Sequence, residues 1–127
     1  QVAVLRHMVK ARKFDIQIIS CPILREINGL AMSSRNTLLS TDEKQDATII
    51  NRTLFEGIEG YKKGLSFSEI KAKMLHTFNS GNLELEYLEI VNNTSLESVN
   101  KINSNTSACI VAYCGKVRLI DNCQFSI

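Results

Sequence analysis

Two adjacent hydroxyls followed by a guanidinium, Ser33-Ser34-Arg35, close the stretch Arg25-Glu26-Ile27-Asn28-Gly29-Leu30-Ala31-Met32-Ser33-Ser34-Arg35-Asn36. These residue types suit a polyphosphate. Hydroxyls donate to phosphate oxygens, and arginine offers a planar fork of donors that stays charged at neutral pH. Such a fixed charge also stabilises the negative charge that builds up as pyrophosphate departs. Gly29 and Ala31 are small enough to let the main chain approach a ligand. By composition alone the same residues describe an ordinary polar loop, with Ser33 and Ser34 capping a turn and Arg35 in solvent.

Little else in the sequence offers chemistry. The four cysteines, Cys21, Cys109, Cys114 and Cys123, include no pair at CxxC spacing, and His7 and His76 lie far from them. Free thiols in a reducing, cytoplasmic compartment are expected. His7 falls on a helical stretch and His76 in an amphipathic one, where packing or surface roles are expected. A net charge of +2 over 127 residues is too small to argue for nucleic acid. The densest basic group, Arg6, Lys10, Arg12 and Lys13, reads as a solvated helix face. No run of about 18 apolar residues is present to span a bilayer, and no signal-like stretch opens the chain.

The positioning elements follow from periodicity. Val2, Leu5, Met8 and Val9 predict a helix to about Lys13, and the β-branched stretch Phe14–Ser20 predicts a strand ended by Cys21-Pro22. Ile23 to Ser40 has no clean period and predicts a loop. Ser40 with Glu43 three residues on is a capping-box signature, and Ala47, Ile50, Leu54, Ile58 and Tyr61 continue as one long amphipathic helix to Gly64. Ser66 with Glu69 repeats the signature ahead of Ile70, Met74, Leu75 and Phe78. Leu83, Leu85 and Tyr87 alternate with Glu84 and Glu86 as a half-wet strand. A polar stretch from Asn92 to Asn105 predicts a loop with one helical turn near Leu96 and Val99. Ala108–Cys114 and Val117–Ile120 flank Gly115-Lys116, a type II′ hairpin signature.

The fold class expected is therefore α+β. Residues 1–39 read as the tail of an α/β layer carrying the loop, and residues 40–127 as a small domain with two main helices and a three-stranded, mainly antiparallel sheet. The helical pattern begins at once after Gln1 without a capping residue, and the strand has no parallel neighbours. The chain is thus expected to be a portion of a longer protein.

The order Arg-Glu-x-x-Gly-Leu-Ala-Met-Ser-Ser-Arg-Asn closely resembles the signature segment of the pantothenate synthetases (pantoate–β-alanine ligases). Its flanks agree: Leu5-Arg6-His7-Met8-Val9 before it, then Asp15-Ile16 and Pro22, the Leu39-Ser40 step into the long helix, and Arg118-Leu119-Ile120-Asp121-Asn122 near the end. The resemblance covers essentially the whole chain in register. One departure is Asn28, where that family often carries an acid, so a local charge contact is expected to be weaker.

The resemblance implies a nucleotidyltransferase-like Rossmann protein, related in architecture to class I aminoacyl-tRNA synthetases, of which this chain is the C-terminal part. It implies that Met32, Ser33, Ser34 and Arg35 contact ATP, mainly its phosphates, and that Leu24 supplies a main-chain contact to the adenosine. Gln1 matches the last glutamine of an Asp-x-Gln-Gln element and would bind pantoate. ATP would adenylate pantoate with Mg²⁺ present, and β-alanine would then displace AMP. The whole enzyme is expected to be a cytoplasmic homodimer. The elements absent here, a His-x-Gly-His motif and most of the sheet, make this chain alone inactive on that expectation. A different class remains open, a non-catalytic interaction or dimerisation module. A tRNA-synthetase-like adenylating protein would need Lys-x-x-Lys-Ser at the loop, where Met32-Ser33-Ser34-Arg35 stands.

Overall fold

The computed structural model describes residues 1–126. The elements run α1 (Val2–Ala11), a 3₁₀-helix (Ser34–Leu38), α2 (Thr41–Asp46), α3 (Thr48–Lys62), α4 (Phe67–Phe78), β1 (Glu84–Asn92), β2 (Thr106–Cys114) and β3 (Val117–Gln124). Two main helices, α3 and α4, pack against a three-stranded sheet in the order β1-β2-β3, antiparallel throughout. The α+β class is thus as expected.

Both capping boxes form. The Ser40 hydroxyl accepts from the Glu43 amide while the Glu43 carboxylate accepts from the Ser40 amide, and Ser66 and Glu69 do the same. Each box satisfies two helix-end donors that would otherwise lack partners. The helix that follows Ser40 differs from expectation. It breaks at Ala47 into α2 and α3, because the Ile50 amide bonds the Ala47 carbonyl three residues back rather than Asp46 four back. Ile50 and Leu54 of α3 are buried in the core.

On the sheet's inner face, Leu88 and Ile90 of β1, Ala108, Ile110 and Ala112 of β2, and Leu119 of β3 are buried together with Ile70, Met74 and Phe78 of α4. Period-two alternation gives this face. Each fully buried Ile or Leu contributes about 1.5–3 kcal/mol by leaving water. Phe125, just beyond β3, closes the core edge-on against Tyr61 with ring centroids 5.6 Å apart. Cys114 pairs with Val117 across Gly115-Lys116. Gly115 has φ +57° and Lys116 does not share a positive φ, which matches the type II′ turn. The helical turn expected near Leu96 and Val99 is not found there: the turn lies at Asn93–Ser95, closed by the Leu96 amide on the Asn92 carbonyl. Leu96 has φ +62°, and Ser98 and Val99 run extended beside β1, the Val99 amide donating to the Ile90 carbonyl.

The N-terminal stretch corrects one expectation. Phe14–Ser20 is not a strand: it has no ladder partner, and Phe14, Ile16 and Ile19 are 52%, 59% and 78% exposed. A strand exists only when a neighbour satisfies its main-chain groups, and no described residue does so here. Helix α1 has no buried residue. No helix among the described residues is long and apolar enough to cross a membrane.

Candidate functional site

The stretch after Pro22 folds back on itself as a tight hairpin. The Met32 amide donates to the Leu24 carbonyl at 2.9 Å, Arg25 bridges Ala31, and the Glu26 amide donates to the Leu30 carbonyl at 2.8 Å. The turn Glu26–Gly29 is closed by the Gly29 amide on the Glu26 carbonyl, with Gly29 at φ +90°. Only glycine adopts that conformation without strain, and a Cβ there would lie 2.4 Å from the Asn51 side-chain nitrogen. Asn28 has a structural task of its own: its side-chain oxygen accepts from the Leu30 amide at 3.1 Å, a bond that needs no charge. The Asn-for-acid departure therefore leaves the turn intact.

Beyond the hairpin, Ser33 caps the 3₁₀-helix, its Oγ accepting from the Arg35 amide at 3.2 Å. Its hydroxyl hydrogen remains available to donate. Asn36 is buried, and its Nδ2 donates to the Glu26 carboxylate (2.9 Å) and the Ala31 carbonyl (3.0 Å), tying helix to hairpin. Its Oδ1 is buried without a partner. Arg35 reaches across to β3, where Nη1 donates to the Arg118 carbonyl at 3.1 Å.

These contacts frame a cleft of about 380 Å³ between the hairpin and β3, lined among others by Met32, Ser33, Arg35, Asn36, Arg118 and Asp121. Its charge balance is positive. Asp121 is the one carboxylate among the described lining residues, and Arg25 pairs with it through two bonds of 2.6 and 3.1 Å. Arg118 is also paired, its guanidinium gripping Glu86 at 2.7 and 2.8 Å. That grip holds the Glu86 carboxyl below the usual glutamate range. Arg35 faces the cleft with no carboxylate on it among the described residues. Chemically the arrangement is a shallow anion-accepting cleft with one unpaired guanidinium and exposed hydroxyls beside it.

Of the residues singled out from the sequence, Met32, Ser33 and Arg35 line this cleft together, and Ser34 stands exposed between the last two. Leu24 is brought to Met32 by the hairpin bond. Gln1 is not brought in: it is exposed at the start of α1 and does not line the cleft. The sequence reading missed Asn36, Arg118 and the Arg25–Asp121 pair. A signal for them was present, since all four residues belong to the two segments that carried the family resemblance.

The family model for pantoate-beta-alanine ligase matches residues 1–124. The chain belongs to this family. The pantothenate synthetase of Enterococcus faecalis V583 is 40% identical over 131 aligned residues, which cover all of this chain and 46% of that protein. That of Pseudothermotoga lettingae is 42% identical over 96% of this chain and 44% of its own length. The chain therefore spans about half the length of the relatives it matches, their C-terminal portion. Among solved structures, a pantothenate synthetase from Thermus thermophilus superposes with a TM-score of 0.92 at 27% identity, over 98% of this chain and 45% of that one. A Francisella tularensis pantoate-beta-alanine ligase complexed with beta-gamma ATP and beta-alanine superposes with a TM-score of 0.62 at 28% identity, over 98% and 40%. The segment Arg25–Asn36, which carries the sequence resemblance, forms the hairpin and the start of the 3₁₀-helix that wall the cleft.

Proposed function

We propose that this chain is the nucleotide-side portion of a ligase that joins pantoate to β-alanine using ATP. What supports this is the placement of the family's signature segment on a positive cleft with an unpaired arginine, together with the ligands named for the Francisella relative. In this proposal a pantoate carboxylate oxygen attacks the α-phosphorus of ATP and pyrophosphate leaves. The β-alanine amine then attacks the acyl carbon, AMP departs, and the amide remains. The first step converts a poor leaving oxygen into a good one.

Arg35 and the hydroxyls of Ser33 and Ser34 hold the phosphates and neutralise charge as pyrophosphate separates. The main chain at Leu24 and Met32 meets the adenosine. Gln1 is assigned to pantoate, which α1 would present only once the rest of the relatives' length is in place. The division into 1–39 and 40–127 is one of roles, nucleotide loop and lid. Leu30 and Leu39 of the first part are buried in the same cluster as α3 and the sheet. A cytoplasmic homodimer is proposed for the whole enzyme.

Mg²⁺ is part of the proposed reaction as a companion of ATP. No group of three metal-ligating side chains exists among the described residues, and the cleft's one carboxylate is committed to Arg25. Such an ion is commonly held by the substrate's own phosphates and water.

The test is a chimera in which this chain replaces the matching portion of the Enterococcus faecalis relative. The chimera is expected to form pantothenate from ATP, pantoate and β-alanine, while the isolated chain is expected to form none. Turnover by the isolated chain, or a chimera that folds and binds ATP equally well with Arg35→Ala, would contradict the proposal. The alternative of a docking module draws on one observation, the exposed apolar residues Phe14, Ile16, Ile19 and Leu24. The same surface suits burial by the remaining half of such a ligase.

A further inference from the structure

The hairpin that carries the nucleotide-facing residues touches the core through Leu30, an apolar contact that fixes neither angle nor register. A directional contact is supplied by Arg25. Its Nη1 donates to Asp121 Oδ2 at 2.6 Å and to the Gly29 carbonyl at 3.1 Å, and its Nη2 donates to Asp121 Oδ1 at 3.1 Å. One guanidinium thus holds a hairpin strand, the hairpin's own turn and strand β3. Asp121 is nearly fully buried, with 3% of its side chain exposed, and its Oδ1 also accepts from the Asn122 amide at 2.8 Å. Burying such a pair is weak evidence for stability, since apolar residues of the same volume usually serve as well. What a planar two-bond fork adds is geometry: it sets distance and orientation between the groups that carry it.

We propose that the Arg25–Asp121 ion pair is the positioning device of the nucleotide loop, setting Met32 and Arg35 against β3 so that they face one cleft. The sequence neighbours show how. Leu24 adjoins Arg25 on the hairpin strand, and its carbonyl holds the Met32 amide. Asp121 lies three residues from Arg118, whose carbonyl holds Arg35. Both ends of the cleft are therefore referenced to one half-buried pair, while neither Arg25 nor Asp121 needs to touch the substrate. This inference rests on the assignment of the loop to nucleotide binding, and its test separates the two.

Amide hydrogen exchange on the chain itself reads the loop's registration without catalysis. Asp121→Asn is expected to speed exchange of the amides in residues 24–36 at least tenfold while β1 and α4 stay protected. Arg25→Lys, which keeps the charge and loses the fork, serves if Asp121→Asn does not fold, with the same direction expected. In the chimera described above, either variant is expected to raise KM for ATP about tenfold and leave KM for pantoate within twofold. The exchanged pair Arg25→Asp/Asp121→Arg is expected to recover part of the loss. Unchanged exchange in residues 24–36 overturns the proposal, as does a fall in kcat with KM for ATP unmoved. A native chimera without turnover would instead count against the ligase assignment, leaving hydrogen exchange to decide the registration.

Discussion

The guanidinium of Arg35 donates to the main-chain carbonyl of Arg118 at 3.1 Å, joining residues 83 positions apart. A neutral carbonyl is a modest partner for a charge that stands at the rim of a cleft. Most of Arg35's donors stay open to a ligand, while the one bond keeps the side chain from sweeping through solvent.

Removing that side chain should therefore separate binding from stability. Arg35→Ala is expected to change unfolding free energy by no more than about 0.5 kcal/mol, as at other exposed positions. It should weaken ATP binding by tenfold or more, since hydrogen bonds to charged groups are worth roughly 1.5–3 kcal/mol. Urea unfolding and calorimetric titration of the chimera with ATP measure the two effects. A large stability loss with unchanged affinity would make Arg35 a structural residue.

Gly29→Ala should behave in the opposite way. A residue forced to φ +90° beside the Asn51 side chain is strained on two counts. The substitution is expected to destabilise by about 1–3 kcal/mol. Gly64, also at positive φ but in open space, is the control that isolates the clash from the backbone term. Equal losses at both positions would show that the Asn51 contact is harmless.

The capping boxes predict both a magnitude and a pH dependence. Ser40→Ala and Ser66→Ala are each expected to cost about 1 kcal/mol in chemical unfolding. Hydrogen bonds from the Ser66 side chain and main chain hold Glu69 below the ordinary value of 4.5. A depressed carboxyl stabilises the fold above the unfolded-state value and loses that contribution as pH falls through the folded value. Stability should thus decline below about pH 4.5 by a component that Glu69→Gln abolishes. An identical acid limb in the Gln variant would remove Glu69 as its source.

Thiol reactivity should follow burial. Cys123, whose Sγ lies 3.8 Å from the Leu54 carbonyl, is pushed up to about 12 by burial. Burial also raises the Cys109 and Cys114 thiols, while Cys21 is exposed. Thiolate is the reactive form, so iodoacetamide at pH 8 should modify Cys21 first and the other three slowly until the fold is unfolded. Peptide mass mapping over time gives the order; early labelling of Cys123 would contradict the packing of β3 on α3.

Much of the C-terminal unit was legible because its signals are local. Ser40 with Glu43 and Ser66 with Glu69 carry their own helix starts, and the stripes at spacings of three and four point each helix at its core. The Gly115-Lys116 turn selects its own hairpin. The break at Ala47 was not legible, because a single helical bond shortened to three residues leaves the apolar spacing almost unchanged. The strand expected at Phe14–Ser20 failed for a different reason. Its β-branched residues state a preference, but a ladder needs a partner that no described residue supplies.

The cleft divides along the same line. The chemistry the loop offers, two hydroxyls and a permanent cation, is written in its residue types, and the motif order points to the family. Folding sets which groups are free to act: among the described residues no carboxylate pairs with Arg35, whereas Arg118 holds Glu86 and Arg25 holds Asp121. Charge type is a property of a residue, read one position at a time. Pairing is a property of distance between residues 96 positions apart, and that distance exists only after the core has folded and brought the hairpin onto β3.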